Sequence, residues 1–597
     1  MQVVSGLLRR VPWIFARSRR SASYLVLVVL VATLASVHIW GSPNKRSYLR
    51  RNVLEPVIVP SRTDLLEARI GKRSFKSTRD YSRIPFFRKQ DITAYVFNTE
   101  DIVYEDCAEV QYNNLIESHV EDSDVQIDLA KVRQMLISKS DYWHKLFTAS
   151  DEEQWSVNHV VRKRWFAFGT SAVWYPEGDC YLVYTRVIYS DAGIKDKPNI
   201  SVVYAQAYDK DWNELIGKKF NYYDVKMPEY VQEELDSLWG FIADLQCEEY
   251  KNNPEQYNRC SKENQPRIKE TQLRINEIEA HYSITYPTVL DIDFIVHGLF
   301  SGPEDPRAFL MGAPGKIQEP ILVFNMQATE HRRMHSFRPH RRNNALIEYS
   351  RTDGELRNQE KNWAPFFHYR QDEKIDFPDE QIYFIHDFTP MNVLRCSLFD
   401  GSCVVAFDEE PAKKDKLSLI RGGTQYIRFP SIIPEVKDWQ MWVGFAKSHI
   451  PPCGCGGNFY RPQLSLLVES EGKYHLEFLT PTLDFGIDVL NWSGDGSKCD
   501  GHNVLNPNTI SNWEVVGQDE ATGLYEDYLT LTISEADIKS SFVTVRGVLN
   551  YVLGVYGKKE IKDTYNVDSK TLEVNKFTAS CIGVSAQLFC KEYGESH

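Results

Sequence analysis

The chain has no excess of positive charge. Its 69 Lys and Arg stand against 82 Asp and Glu, a formal net charge of −13, which argues against a general nucleic-acid binder. No Gly-x-Gly-x-x-Gly follows a strand-like run, so a dinucleotide fingerprint is missing, and no Ser-His-Asp order stands out. Cys453-Gly-Cys455 has no second ligand pair at finger spacing, which disfavours zinc. Beyond the N-terminal region no apolar run is long enough to cross a bilayer. The later runs are short and broken by turn or charged residues.

The exception to that last absence is Tyr24–Trp40 (YLVLVVLVATLASVHIW), which carries no formal charge apart from whatever His38 holds. It is near the lower length limit for a helix crossing the hydrocarbon core. Arg9, Arg10, Arg17, Arg19 and Arg20 precede it without an acidic residue, while Lys45, Arg46, Arg50 and Arg51 follow, a modest positive-inside bias. The pattern predicts a cytoplasmic tail over 1–23, an uncleaved transmembrane signal anchor over 24–40, a basic, aperiodic stem over 41–90 and a lumenal body over 91–597. A cleaved signal peptide competes, because Ala35 and Ser36 lie near the end of the apolar run.

Eleven cysteines in a lumenal chain imply disulfides. Close spacing suggests Cys247–Cys260, Cys396–Cys403 and Cys581–Cys590, with Cys453, Cys455 and Cys499 sharing one bond and leaving a thiol. Asn199-Ile-Ser and Asn491-Trp-Ser are candidate glycosylation sequons.

From about residue 91 the dominant signal is short β-runs bounded by Gly, Pro, Asp and Asn. Examples are Tyr181–Ile188, Ile200–Ala207, Ile321–Asn325, Ile382–Ile385, Met441–Ala446, Leu464–Val468, Tyr474–Leu479 and Tyr528–Ile533. Aromatics make up 13% of the chain, which suits β-structure and sugar-stacking surfaces. Residues 229–282 are charged and helix-prone, and read as a helical insertion. Strand-turn-strand units begin near Gly169, Glu304, Lys361, Gly422 and Ser534, and this weak repeat fits a five-bladed β-propeller.

GPEDPRAF (Gly302–Phe309) followed by ILVFN resembles the Asp-Pro-Arg element of the five-bladed propeller β-mannoside phosphorylases and their transferase relatives. GTSAVWYPEGDCYLVYTRV, EKNWAPFF with QIYFIHDFTPMNVLRC, RGGTQYIRF with WVGFAKSH, and YLTLTISEADIKSSFVTV resemble other blades of that group in the same order. With the anchor, stem and cysteines, the chain resembles the fungal β-1,2-mannosyltransferases of cell-wall mannan synthesis. The fold so implied is mainly β, a lumenal five-bladed propeller with a helical insertion behind one transmembrane helix, in the Golgi membrane with single-pass type II topology. The function so implied is inverting transfer of mannose from GDP-mannose to mannan or an oligomannoside. A β-mannoside phosphorylase or hydrolase, and a non-catalytic glycan-binding propeller, are the alternatives.

Inversion in one displacement needs a carboxylate to take the acceptor proton and cations to stabilise the departing diphosphate. By resemblance Asp305 is the candidate general base; its bland alternative is a turn that caps the backbone. Glu304, Arg307, Arg186 and Asp537 are candidate sugar-pocket residues, each of which could instead form an inter-blade ion pair. Thr170 and Ser171 fall where the phosphorylases carry small polar sugar contacts, although Gly169 stands where that group has Asn. The run His331–Arg342 (HRRMHSFRPHRR) is either a diphosphate clamp, through Arg338 and His335, or a solvated basic loop. Lys361 is a further phosphate candidate, or a partner of Glu360. Asp291-Ile-Asp293 could bridge a divalent ion to a diphosphate. The surrounding sequence lacks alternating βα units, so no metal ligand or cofactor is assigned.

Overall fold

The computed structural model describes residues 79–84, 116–148, 155–312, 318–327, 330–343, 345–368, 381–409, 419–430, 432, 439–494, 499–555 and 569–597. The expected tail and anchor lie outside these residues. Among the described residues no helix is long and apolar enough to cross a membrane.

The chain is mainly β, and each of the eight short β-runs named above lies in a strand. The strands form successive antiparallel meanders. The first sheet joins Trp165–Tyr175, Cys180–Tyr189, Ile200–Tyr208 and Thr288–Val289. The second joins Pro303–Met311, Glu319–Gln327, Arg332–Phe337 and Leu346–Glu348. Ala364–Phe366, Gln381–Phe388, Met391–Ser397 and Ser402–Asp408 make the third, with Ser350–Arg351 parallel on its edge. The fourth contains Ile420–Gly422, Trp439–Ile450, Phe459–Ser470 and Lys473–Leu479. The fifth contains Asn503–Gln518, Tyr525–Glu535 and Lys539–Arg546, and Glu117–Asp124 from early in the chain adds to its edge. A short parallel pairing of Phe459 and Tyr460 with Asn503 and Val504 links the fourth and fifth sheets.

Strands Cys180–Tyr189 and Ile200–Tyr208 are buried at every residue. That explains their nearly continuous apolar sequence: both faces of the sheet are covered, so an alternating pattern would strand polar groups inside. Separate cores fill the spaces between sheets. Tyr184, Leu322 and Phe324 share one between the first and second; Phe309, Trp363 and Phe384 share the next; Phe366, Trp442 and Leu467 the next; Leu466, Leu529 and Val543 the next. Phe542 of the fifth sheet packs with Ala172, Tyr181 and Val183 of the first.

Between the third and fourth strands of the first sheet the chain inserts helices Glu229–Asp244 and Pro254–Glu279, joined by the expected Cys247–Cys260 disulfide. Asn253 caps the second helix by accepting the Gln256 N–H, and Pro254 sits where no intrahelical donor is needed. Cys396–Cys403 also forms as expected. The remaining pairing is corrected: Cys590 bonds Cys453 across 137 residues, and Cys455 bonds Cys499, so neither Cys-Gly-Cys sulfur is a free thiol. The C-terminal helix Ser569–Ser596 lies against the fourth sheet and carries Cys590 to it, an approach that local spacing does not reveal. Within the stretch expected as a stem, Arg79 ion-pairs with Glu121 at 2.9 Å, and Ser82–Arg83 pairs with Glu117–Ser118. This part of the stretch belongs to the fifth sheet.

Candidate active site

Asp305 lies on the first strand of the second sheet. Opposite it, the register steps from Glu304↔Asn325 to Arg307↔Val323, so the Asp-Pro pair forms a bulge. Its φ of 55° is a left-handed backbone that Asp tolerates better than most side chains. The bulge turns the carboxylate toward Arg186, whose Nη1 is 3.6 Å away. Asp305 keeps 43% side-chain exposure although protein surrounds it, as expected for a group lining an open recess. Burial opposes its ionisation, but the fields of Arg186, Lys447, Arg307 and Lys361 prevail and hold the carboxyl below the usual range.

Glu304, the residue before Asp305, meets the same guanidinium. Its carboxylate lies 3.3 Å from Arg186 Nη2 and pairs with Arg332, which also donates to Asn325 Oδ1 at 2.7 Å. Arg186 itself is held by Ser201 Oγ at 3.0 Å, so the group facing Asp305 is positioned from two directions. Arg307 is 4% exposed. It donates to the Gly422 carbonyl at 3.3 Å and to the Gly423 carbonyl, tying the second sheet to the fourth.

Asp537 sits in the turn between the second and third strands of the fifth sheet, where Ala536 and Asp537 have φ of 49° and 50°. Burial and the neighbouring Asp305 push its carboxyl up to about 6, against the pull of Arg186, Lys195 and Lys447. Lys195, from a loop of the first sheet, donates to the Ala536 and Trp492 carbonyls at 2.5 Å each and lies 3.7 Å over the Trp492 ring. Burial brings Lys195 down to about 8. Lys447, on the second strand of the fourth sheet, is 5% exposed. Burial and the Arg307 charge bring it down to about 7, although Asp305 pulls the other way. Lys361 is exposed and precedes the first strand of the third sheet. Glu360 pairs with the His386 ring at 3.0 Å and the Trp363 indole at 2.9 Å, and is therefore committed elsewhere. The site thus draws at least one charged side chain from each sheet, among them Arg186, Asp305, Lys361, Lys447 and Asp537.

Several expectations are corrected. Thr170 is 1% exposed and its hydroxyl pairs with that of Thr185 at 2.9 Å; Ser171 is 0% exposed and accepts the Ala308 N–H at 2.5 Å. Both side chains are spent on holding inner strands together, which removes them from sugar contact. The basic run is not a solvated loop: Arg332–Phe337 is a strand. His335 lies 3.2 Å from Glu348 on the outer strand, and Arg338 donates its backbone N–H to Ala345. His335 serves the outer part of the second sheet, the Arg338 side chain is buried near Tyr349, and Arg332 of this run reaches Glu304. Asp291 pairs with Lys139 and is 97% exposed; no metal-competent cluster occurs among the described residues. Asn491 is 6% exposed, a poor fit to a surface sequon, while Asn199 is half-buried and accepts the Asp191 N–H at 2.8 Å.

Sequence reasoning missed Lys447, Lys195 and Arg332. A lysine inside the otherwise apolar run MWVGFAK was the one available signal for Lys447. Nothing local marks Lys195, whose partners lie roughly 300 residues away.

The family model of beta-mannosyltransferases matches residues 106–351 and 339–589. Beta-mannosyltransferase 2 of Komagataella phaffii is 33% identical over 528 residues, covering 85% of this chain and 71% of that protein. Beta-mannosyltransferase 1 of the same organism is 28% identical over 91% of this chain and 74% of its own. Beta-mannosyltransferase 5 of Candida albicans is 24% identical over 96% and 95%, respectively. Among solved structures, a mannose phosphorylase from Leishmania mexicana with bound phosphate aligns at a TM-score of 0.27 and 8% identity, over 64% of this chain and 84% of that one.

Proposed function

Since the chain belongs to the beta-mannosyltransferase family and is a mannosyltransferase, we propose that it transfers mannose from GDP-mannose with inversion, forming β-1,2-mannosides on cell-wall mannan or a related glycan. Donor and linkage rest on the motif resemblance. The observation that carries the mechanism is Asp305, raised on a bulge and kept ionised by surrounding cations. An acceptor hydroxyl gives its proton to the Asp305 carboxylate while its oxygen bonds to the anomeric carbon. The bond from that carbon to the diphosphate oxygen breaks, and its electron pair leaves with the diphosphate. Base and leaving group then occupy opposite sides of the sugar, as inversion requires. Glu304, Arg186 and Asp537 surround the reacting sugar, and Arg307 locks the strand that bears the base.

The proposed fold around this site is a five-bladed propeller. Supporting it are the cores that join each sheet to the next, including the fifth to the first, and the early strand Glu117–Asp124 on the edge of the last sheet. We further propose a type II Golgi membrane protein anchored over 24–40. Four disulfides support an oxidising compartment for the body.

The test incubates the purified chain and an oligomannoside acceptor with GDP-mannose or mannose 1-phosphate, followed by linkage analysis. New β-1,2-linked mannose from GDP-mannose is expected. Turnover of mannose 1-phosphate alone would overturn the donor assignment.

A further inference from the structure

The charges around the site are unevenly distributed among the sheets. The carboxylates Glu304, Asp305 and Asp537 come from the second and fifth sheets, which flank the first and its cations Arg186 and Lys195. The third and fourth sheets contribute Lys361, Arg421 and Lys447. Asp387 of the third sheet acts on Arg421, but no carboxylate of those two sheets is among the leading charges on Lys447. Burying an ammonium is costly unless an anion compensates it. Lys447 is 5% exposed and makes no ion pair among the described residues, and the nearby Arg307 leaves its buried Nη1 without a hydrogen-bond partner.

A neighbouring imidazole lies beside the same cations. His449 stacks on Tyr460 with ring centroids 4.7 Å apart. Burial, then Arg421, Lys447, Lys361 and His502, bring it down to about 4. The stack also borders the lysine, whose Nζ is 5.9 Å from the Tyr460 ring. Arg421 and Lys447 pair in register on two strands of the fourth sheet, so these two cations are fixed by the sheet and little ordering of them would be needed to bind an anion.

We propose that Lys447, Arg421 and Lys361, backed by Arg307, form the subsite for a nucleoside diphosphate leaving group, in place of the basic run His331–Arg342. The assignment rests on the nucleotide-sugar reading above and says which side of the site the diphosphate occupies. With the anomeric carbon between the two charge fields, the base approaches from the Asp305 side and the diphosphate departs toward Lys447. The departing group gains negative charge, and Lys447 and its neighbours stabilise it without rearrangement.

The experiment measures binding of GDP, inorganic pyrophosphate and inorganic phosphate to the full chain by calorimetry. Variants are Lys447→Met, Lys447→Arg, Arg421→Gln, Lys361→Gln and Asp305→Asn, each with a thermal melt. Lys361→Gln changes an exposed side chain and so reports on the subsite even where a buried substitution fails to fold. Lys447→Met, Arg421→Gln and Lys361→Gln should each weaken GDP and pyrophosphate by roughly tenfold, the scale of one charge-assisted hydrogen bond. Lys447→Arg should recover part of the loss, and Asp305→Asn should retain GDP while losing transfer. Unchanged GDP affinity in the folded cation variants overturns this subsite and leaves the donor reading intact. Phosphate binding without GDP binding overturns both; binding of none of the three anions overturns the subsite.

Discussion

Replacing Asp537 by Asn should make the protein more stable near neutral pH while impairing transfer. In the folded chain this carboxyl is pushed from its usual 3.8 up to about 6, first by burial and then by the Asp305 charge. Folding therefore favours the protonated group, and the ionised form is penalised. At about 1.4 kcal/mol per pKa unit, the full shift corresponds to an upper bound of about 3 kcal/mol. Asp537 is half-buried rather than fully enclosed, so solvent screening reduces the expected gain to about 1–2 kcal/mol. The sign fixes the pH window: the gain should be complete above about pH 6, shrink as pH falls toward 3.8, and vanish below it. Denaturant unfolding of wild type and Asp537→Asn at pH 7.5 and pH 4, using the same probe, measures the difference directly. An Asn variant equally or less stable at pH 7.5, or a gain independent of pH, would refute the view that this carboxylate is held charged at the fold's expense.

Lys195→Met removes both carbonyl contacts and the Trp492 ring contact, and should cost about 2–4 kcal/mol in unfolding free energy. Loss of its charge should also move the acidic limb of the kcat/KM profile to higher pH, because Lys195 opposes the rise of the Asp537 carboxyl. Asp305→Asn should lower kcat by roughly 10²–10⁴-fold and also lower the thermal midpoint near neutral pH, because the folded chain favours the ionised carboxyl, measured by initial rates beside a melt. Ser171→Ala should cost about 1–3 kcal/mol by leaving the Ala308 N–H unpaired inside the protein. Its donor KM should stay at the wild-type value; a large KM increase would restore Ser171 to the sugar site. Cys590→Ser opens a link spanning 137 residues and should cost up to about 5 kcal/mol by the loop-entropy relation. Limited proteolysis should then release the C-terminal helix first.

What was legible in the sequence was local. Tyr181–Ile188 and Ile200–Ala207 read as strands because their burial is written residue by residue into their composition. The Cys247–Cys260 and Cys396–Cys403 pairs followed because short loops keep their ends close. Cys453–Cys590 was not legible, because a helix from the far end of the chain brings its second sulfur. Thr170 and Ser171 show a different difficulty. A small hydroxyl on an inner strand can bind a sugar or pair with the next strand, and the two uses look identical until a neighbour claims the oxygen. Here Thr185 and Ala308 claim both.

The cations posed the opposite problem. A cluster such as His331–Arg342 draws notice by density, yet density in sequence disperses along a strand whose side chains point to opposite faces. His335 faces Glu348, whereas Arg332 reaches Glu304. The charges that act together on Asp305 are single residues separated by long stretches: Arg186, Arg307, Lys361 and Lys447. Each is unremarkable in its own segment. Their joint effect appears only where the sheets converge, because electrostatic fields add in space and not along the chain. The same addition gives the site its polarity, with Glu304, Asp305 and Asp537 on the second and fifth sheets and Lys361 and Lys447 on the third and fourth. A displacement that separates a proton from a diphosphate needs that arrangement more than it needs any one of these cations.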